Sequence, residues 1–297
     1  MSTKERSTWR SPALGEHRTL DLPGGRLRVH EVGRGQPIVF VHGLLVNANL
    51  WRKVVERLAP DFRCVVLDLP LGSHIEPAGP HADLSPPGLA RFVTEALEAL
   101  ELEDVTLVGN DTGGALCQIA VTTDPGRVGR LVLTSCDYKD NFPPALFRPL
   151  LRLVRLPGAT QAILASLRPR APRRLPLAFG WLTKRPIDRD AEDSYIFPSL
   201  VDPAVRGELR RALPQIHPRH TRTAAERLPG FDRPALIAWA KEDRFFPTRH
   251  AEELAAILPN ARLEWIDDSY TFSAEDQPAR LAELIAGFVR EPARAAA

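Results

Sequence analysis

The segment Gly109-Asn110-Asp111-Thr112-Gly113-Gly114 follows directly on the apolar run Val105-Thr106-Leu107-Val108, and residues 115–120 after it have a helical composition. Small residues on both sides of a polar centre let a strand turn sharply into a helix. The middle side chain is then pushed out of the fold, with helix N-terminal N–H groups beneath it. Such an elbow needs a buried strand inside a sheet and a helix packed back on it, which few architectures supply. Its centre here is Asp111. A carboxylate there points to attack on sp³ carbon more than to ester cleavage. The competing reading of Asp111 is a helix N-cap, but glycines on both sides favour the elbow.

Apolar strand signals recur around this turn. Residues 18–21 and 26–32 flank Pro23-Gly24-Gly25 and predict a hairpin. Further short strands are expected at 37–41, 63–67, 130–134, 235–240 and 262–266, with helices at 87–100, 112–123 and 250–258. This alternation predicts an α/β fold with a mostly parallel central sheet wrapped by helices. It stops between 141 and 227, where prolines and three helical stretches (149–155, 160–167 and 202–213) suggest an inserted helical cap. The expected layout is a disordered tail over 1–14, a core over 15–140 and 228–290, and the cap over 141–227. Residues 291–297 are expected to form a second loose tail.

The three cysteines are scattered through apolar stretches, so buried inert thiols in a cytoplasmic protein are expected, with no disulfide framework, metal or cofactor. No apolar run is long enough to span a membrane, and no membrane partner is expected. Net charge is +2, yet residues 141–230 hold 16 Lys and Arg against 7 Asp and Glu. This basic segment is either a solvated face or a lure for an anionic or carrier-bound small-molecule substrate. Nucleic acid is not expected, because Arg168, Arg170, Arg173 and Arg174 lie among prolines without interleaved aromatics.

Five pieces in order, Val41-His42-Gly43, Asp68-Leu69-Pro70, the elbow, Trp239 to Pro247, and Ile266 to Phe272, resemble the α/β-hydrolase superfamily. The Asp nucleophile resembles its epoxide-hydrolase and haloalkane-dehalogenase branch. The resemblance implies that Asp111 attacks carbon and that the backbone N–H groups of Leu44 and Thr112 form an oxyanion hole. It also implies that Asp243 is the acid that orients a catalytic His. Asp137 and Asp140, after the strand at 130–134, are rival positions for that acid. The His itself is missing: aligned on Phe272, its position is Thr271. His74 in the loop after the strand at 63–67 is the leading replacement base or else a loop-structuring residue; His42 is expected to be structural, and His250 to face solvent.

Two halide-gripping side chains of dehalogenases are replaced by Thr112 and Leu44, which favours epoxide opening. The paired lid tyrosines of epoxide hydrolases are reduced to Tyr195, a candidate acid, while Tyr270 and Trp181 are further candidates for substrate contact. Three functions remain open: an epoxide-opening hydrolase, a non-hydrolytic enzyme using Asp111 for acid–base chemistry, and a ligand-binding protein.

Overall fold

The computed structural model describes residues 2–154, 156 and 158–291. Eight strands form one sheet: β1 Glu16–Leu22, β2 Gly25–Val32, β3 Pro37–Val41, β4 Arg63–Asp68, β5 Val105–Asp111, β6 Val128–Cys136, β7 Ala235–Ala240 and β8 Ala261–Ile266. Their order is β1-β2-β4-β3-β5-β6-β7-β8. The β1/β2 and β2/β4 pairs are antiparallel and all others are parallel. β3 and β7 are apolar throughout, β5 is buried up to the polar pair Asn110-Asp111 at its end, and all three are covered on both faces.

Among the described residues, thirteen α-helices surround the sheet. Three precede the elbow: α1 Thr3–Thr8, α2 Arg52–Leu58 and α3 Pro86–Ala99. The elbow opens α4 Thr112–Thr123. The segment inserted between β6 and β7, here the cap, carries α5 Arg148–Leu153, α6 Ala159–Ser166, α7 Arg170–Arg173, α8 Arg189–Val201, α9 Pro203–Ala212 and α10 Pro218–Arg227. α11 Thr248–Ile257, α12 Ser273–Asp276 and α13 Pro278–Arg290 complete the chain. β3 lies between β4 and β5, so the order of strands reverses there. Loops leaving the C-terminal ends of β3 and β5 diverge to opposite faces and leave a crevice, the usual place for a ligand in such sheets. His42-Gly43-Leu44 and Asp111 sit at that crevice.

Three expectations change. Residues 2–14 are docked rather than disordered. Ser2 and Glu5 form a capping box, Ser7 and Leu14 are buried, and the Arg10 guanidinium donates to Asp68 Oδ2 at 2.7 Å and to the Ser73 carbonyl at 2.9 Å. Burial pushes Asp68 upward, but Arg10 and the neighbouring His42 and His30 outweigh it and hold the carboxyl below its ordinary range. The cap holds a helix that the sequence pattern hid, α8. Nearly all of its residues from Ala191 to Leu200 are buried, so it has no polar face and no 3.6-residue stripe, and Pro198 interrupts it. Within the link at 168–175, α7 forms because Arg173 turns inward to Asp193 at 2.6 Å and Glu192 at 2.9 Å. Residues 292–297 of the expected C-terminal tail lie outside the described residues.

Candidate active site

β5 ends at Asp111 with φ 53° and ψ −131°, a strained backbone region that non-glycine residues rarely enter. The turn is possible because α4 presses directly under β3 and β6. A Cβ at Gly113 would strike the Val41 carbonyl, and one at Gly114 would strike Cys136. The Asp111 carboxylate folds over the loop after β3, where a Cβ on Gly43 would fall inside it. His42 fixes that loop. Burial lowers its pKa to about 4, so it is neutral; Nδ1–H donates to the Gly43 carbonyl at 2.8 Å and Nε2 accepts from Leu69 N–H at 2.9 Å.

The backbone N–H groups of Thr112 and Leu44 face the Asp111 carboxylate and favour its ionised form. Burial works against them, and the Asp243 charge adds to it, so Asp111 is pushed up to about 7. It lines a cavity of about 150 Å³ between core and cap. The lining is apolar except for Asp111, Thr112, Asp137 and Thr160.

Asp137 is the residue whose place the sequence left undecided. Asn110 pairs with Thr134 but Asp111 pairs with Cys136, so β6 bulges at Ser135, where φ is 20°. Bulges re-aim side chains, and after this one Asp137 faces the cavity beside Asp111. Thr112 Oγ1 donates to Asp137 Oδ2 at 3.3 Å, while Oδ1 is buried with no partner among the described residues. Burial, reinforced by the Asp111 charge, holds the Asp137 carboxyl well above its ordinary range and favours its protonated form. The available signal was an Asp directly after an apolar strand neighbouring the elbow strand. Asp140 is exposed and pairs with Arg222.

Asp243 follows β7. Its Oδ1 accepts from Phe245 N–H and Phe246 N–H at 2.8 Å each and from Thr271 Oγ1–H at 3.1 Å. Its Oδ2 is buried with no partner among the described residues, and burial raises the carboxyl to about 6. A hydroxyl from Thr271 thus occupies an acceptor that an orienting acid would offer to imidazole. The Thr271 carbonyl accepts from Asn110 Nδ2 at 2.9 Å, which ties this loop to the elbow.

The structure gathers Asp111, Thr112, Leu44 and Asp137 at one cavity, with Asp243 and Thr271 behind Asp111. It does not bring His74 there. His74 Nε2 lies 2.9 Å from Glu208 Oε2 in α9, Nδ1 accepts from Gly72 N–H at 3.3 Å, and the ring is buried away from the cavity lining. His74 fastens core to cap, and its candidacy as a base is withdrawn. Tyr195 is also outside the lining: it is fully buried in α8 against Phe179, and its hydroxyl has no partner among the described residues. The Tyr270 hydroxyl accepts from Arg244 at 3.0 Å, and Trp181 is surface-exposed against Phe245; neither lines the cavity. His250 is buried against Tyr138, ring centroids 5.6 Å apart, because it shares the inward face of α11 with Leu254. All three cysteines are buried, and burial raises each thiol far from reactivity.

A family model described as the alpha/beta hydrolase fold matches residues 36–278. The chain belongs to the α/β-hydrolase-fold family. This α/β-hydrolase-fold chain is 27% identical to an uncharacterised protein of Mycobacterium tuberculosis over 95% of its own length and 84% of the relative's. It is 26% identical to an uncharacterised hydrolase of Bacillus subtilis over 86% and 90%. A haloalkane dehalogenase of Agrobacterium fabrum is 31% identical, over 51% of this chain and 47% of that protein. Among solved structures, a haloalkane dehalogenase from Agrobacterium tumefaciens superposes with a TM-score of 0.76 at 23% identity, covering 95% of this chain and 99% of the other.

Proposed function

We propose that the protein is an epoxide-opening hydrolase of small apolar molecules, with Asp111 as nucleophile and Asp137 as the proton-transfer group. The observation that carries this reading is the pairing of two unlike carboxyl groups in one apolar cavity. Two N–H groups favour the Asp111 anion against burial, whereas the Asp137 carboxyl has no such donors from the backbone and is held well above its ordinary range. Environments that push two carboxyl groups apart in this way divide the roles of base or nucleophile and acid.

A step-by-step cycle follows. An Asp111 oxygen attacks one epoxide carbon and the C–O bond breaks; the released oxygen takes the Asp137 proton, leaving a hydroxyalkyl ester. Ionised Asp137 then takes a proton from water, whose hydroxide adds to the ester carbonyl of Asp111. The developing oxyanion faces Leu44 N–H and Thr112 N–H. Collapse expels the diol oxygen, which takes the remaining acidic proton from the Asp111 carboxyl, and the net reaction is epoxide plus water to diol. No imidazole is needed. Halide release is a poorer fit, since Leu44 offers no side-chain donor and the Thr112 hydroxyl is directed at Asp137. An epoxide oxygen stays tethered and needs only the proton that Asp137 holds.

The test is intact-protein mass spectrometry with a panel of apolar epoxides, from styrene oxide to 1,2-epoxyalkanes. Wild type is expected to form diol. Asp137→Asn is expected to accumulate an adduct of substrate mass, and Asp111→Asn to form neither. Absence of diol and adduct across the panel refutes the epoxide reading. Isomerised substrate without any adduct would instead favour acid–base rearrangement by the same two carboxyl groups.

A further inference from the structure

Residues 141–187 contain no Asp or Glu, although they include seven arginines between Arg148 and Arg174. Part of this charge is used internally. Arg170 and Arg173 pair with Glu192 and Asp193 of α8, and Arg148 donates to the Asp140 carbonyl. Arg152, Arg168 and Arg174 are exposed, and their side chains have no partner among the described residues.

The same segment carries six of the large apolar side chains left in solvent: Leu146, Leu153, Leu156, Leu175, Leu177 and Trp181. They form one rim. Leu177 is 49% exposed and also lines the cavity, so the cavity wall continues into this surface. Leu150, Leu151 and Val154, on and just after α5, line the same cavity between Leu146 and Leu156. Trp181 packs on Phe245 (6.1 Å between centroids), which packs on the lining residue Phe147 (4.9 Å), joining the two lips. In sequence, Arg152 adjoins Leu153 and Arg174 adjoins Leu175.

Apolar anchors interleaved with unpaired cations, with carboxylates excluded, match a bilayer surface that is apolar within and anionic at its headgroups. The remainder of the cap differs. α8 and α9 are bound to the core by Asn47 Nδ2 to the Ser194 carbonyl (2.9 Å), Ser73 Oγ to the Tyr195 carbonyl (2.6 Å) and His74 to Glu208 (2.9 Å). Among the described residues, bare leucines beside unpaired arginines occur in the segments at 146–156 and 168–177, next to the cavity lining.

We propose that the rim of α5 and the 174–181 segment docks on an anionic lipid surface, and that the cavity takes its apolar substrate from that surface. This departs from the expectation of no membrane partner, which concerned spanning segments. The surface rests on charge and exposure, so its test is independent of the chemistry at Asp111.

The experiment is sedimentation of the full chain with phosphatidylcholine vesicles containing 0 or 30% phosphatidylglycerol, at 50 and 500 mM NaCl. Expected is binding to the anionic vesicles that weakens at least tenfold without phosphatidylglycerol or at high salt. Arg152→Glu/Arg174→Glu is expected to lower the partition coefficient by tenfold or more. Leu153→Ser/Leu175→Ser is expected to lower it by a similar factor while circular dichroism and Tm stay at wild-type values. Trp181 fluorescence, taken as wild type minus Trp181→Phe, is expected to be quenched by acyl-chain-brominated lipid. Failure to bind anionic vesicles overturns the proposal, as does binding indifferent to both double variants. So does a concentration-dependent dimer that dissociates in Leu153→Ser/Leu175→Ser and binds no vesicles, because the rim would then be an interface between two copies of this chain.

Discussion

Replacing Asp111 by Asn should make the protein more stable at alkaline pH while removing the proposed nucleophile. The unfolded chain ionises this carboxyl near 3.8, whereas in the folded protein burial and the Asp243 charge raise it to about 7. Between those values the folded state binds more protons than the unfolded one. Stability from this group is therefore complete below about pH 4, falls as pH rises through the window, and levels off above about 7. The full displacement corresponds to roughly 4 kcal/mol at about 1.36 kcal/mol per pH unit. Asp111 keeps part of its surface open to the cavity, so about 2–4 kcal/mol is the range to expect. Asn is isosteric, carries no charge and tolerates positive φ. Thermal unfolding of both proteins at pH 4.5 and pH 8.5 measures the difference. At pH 8.5 the variant should melt roughly 3–6 °C higher, and at pH 4.5 within about 2 °C of wild type. A variant no more stable than wild type at pH 8.5 refutes the claim that this carboxylate is held ionised at a cost to the fold.

Four further outcomes follow from the same contacts. The kcat/KM for epoxide opening should rise with pH through about 7 as Asp111 ionises and fall at higher pH as Asp137 loses its proton; a flat profile would contradict the division of roles. Gly43→Ala should remove activity while leaving a folded protein, because its methyl group displaces the Asp111 carboxylate; assay and circular dichroism together check this. Glu208→Gln should destabilise the protein by roughly 1–3 kcal/mol, since its carboxylate serves His74, Ala78 N–H and Gly79 N–H, yet change the turnover of folded protein less than threefold. Loss of turnover with an intact fold would return His74 to the active site. Thr271→Val should cost about 1 kcal/mol in denaturant unfolding and leave diol formation within a few-fold, because Asp243 keeps two backbone donors.

What could be read from the chain depended on whether a signal was local. The strands at 37–41 and 235–240 and the helix at 112–123 match the observed elements residue for residue, because continuous apolar runs and flanking small residues act over a few positions. α8 was illegible, since a helix buried on nearly every side has no stripe. The docked N-terminus was illegible too, because its anchors, Asp68 and Asn49, lie tens of residues away. At the site, Asp111 announced itself through its glycines. The aim of Asp137 depended on a one-residue bulge that no spacing rule marks, and the fate of His74 depended on Glu208, 134 positions later. Paired side chains drawn from distant segments are set by packing, which a single sequence does not display.

The most direct test of the central claim is single-turnover opening of a reactive epoxide in H₂¹⁸O, with excess enzyme, followed by mass analysis of the peptide bearing Asp111. If water attacks an ester on Asp111, that peptide gains about 2 Da from one ¹⁸O atom in its carboxylate, and the first-turnover diol carries ¹⁶O taken from the protein. If the diol instead carries ¹⁸O and the Asp111 peptide is unlabelled, water has attacked the substrate directly and Asp111 is not the nucleophile.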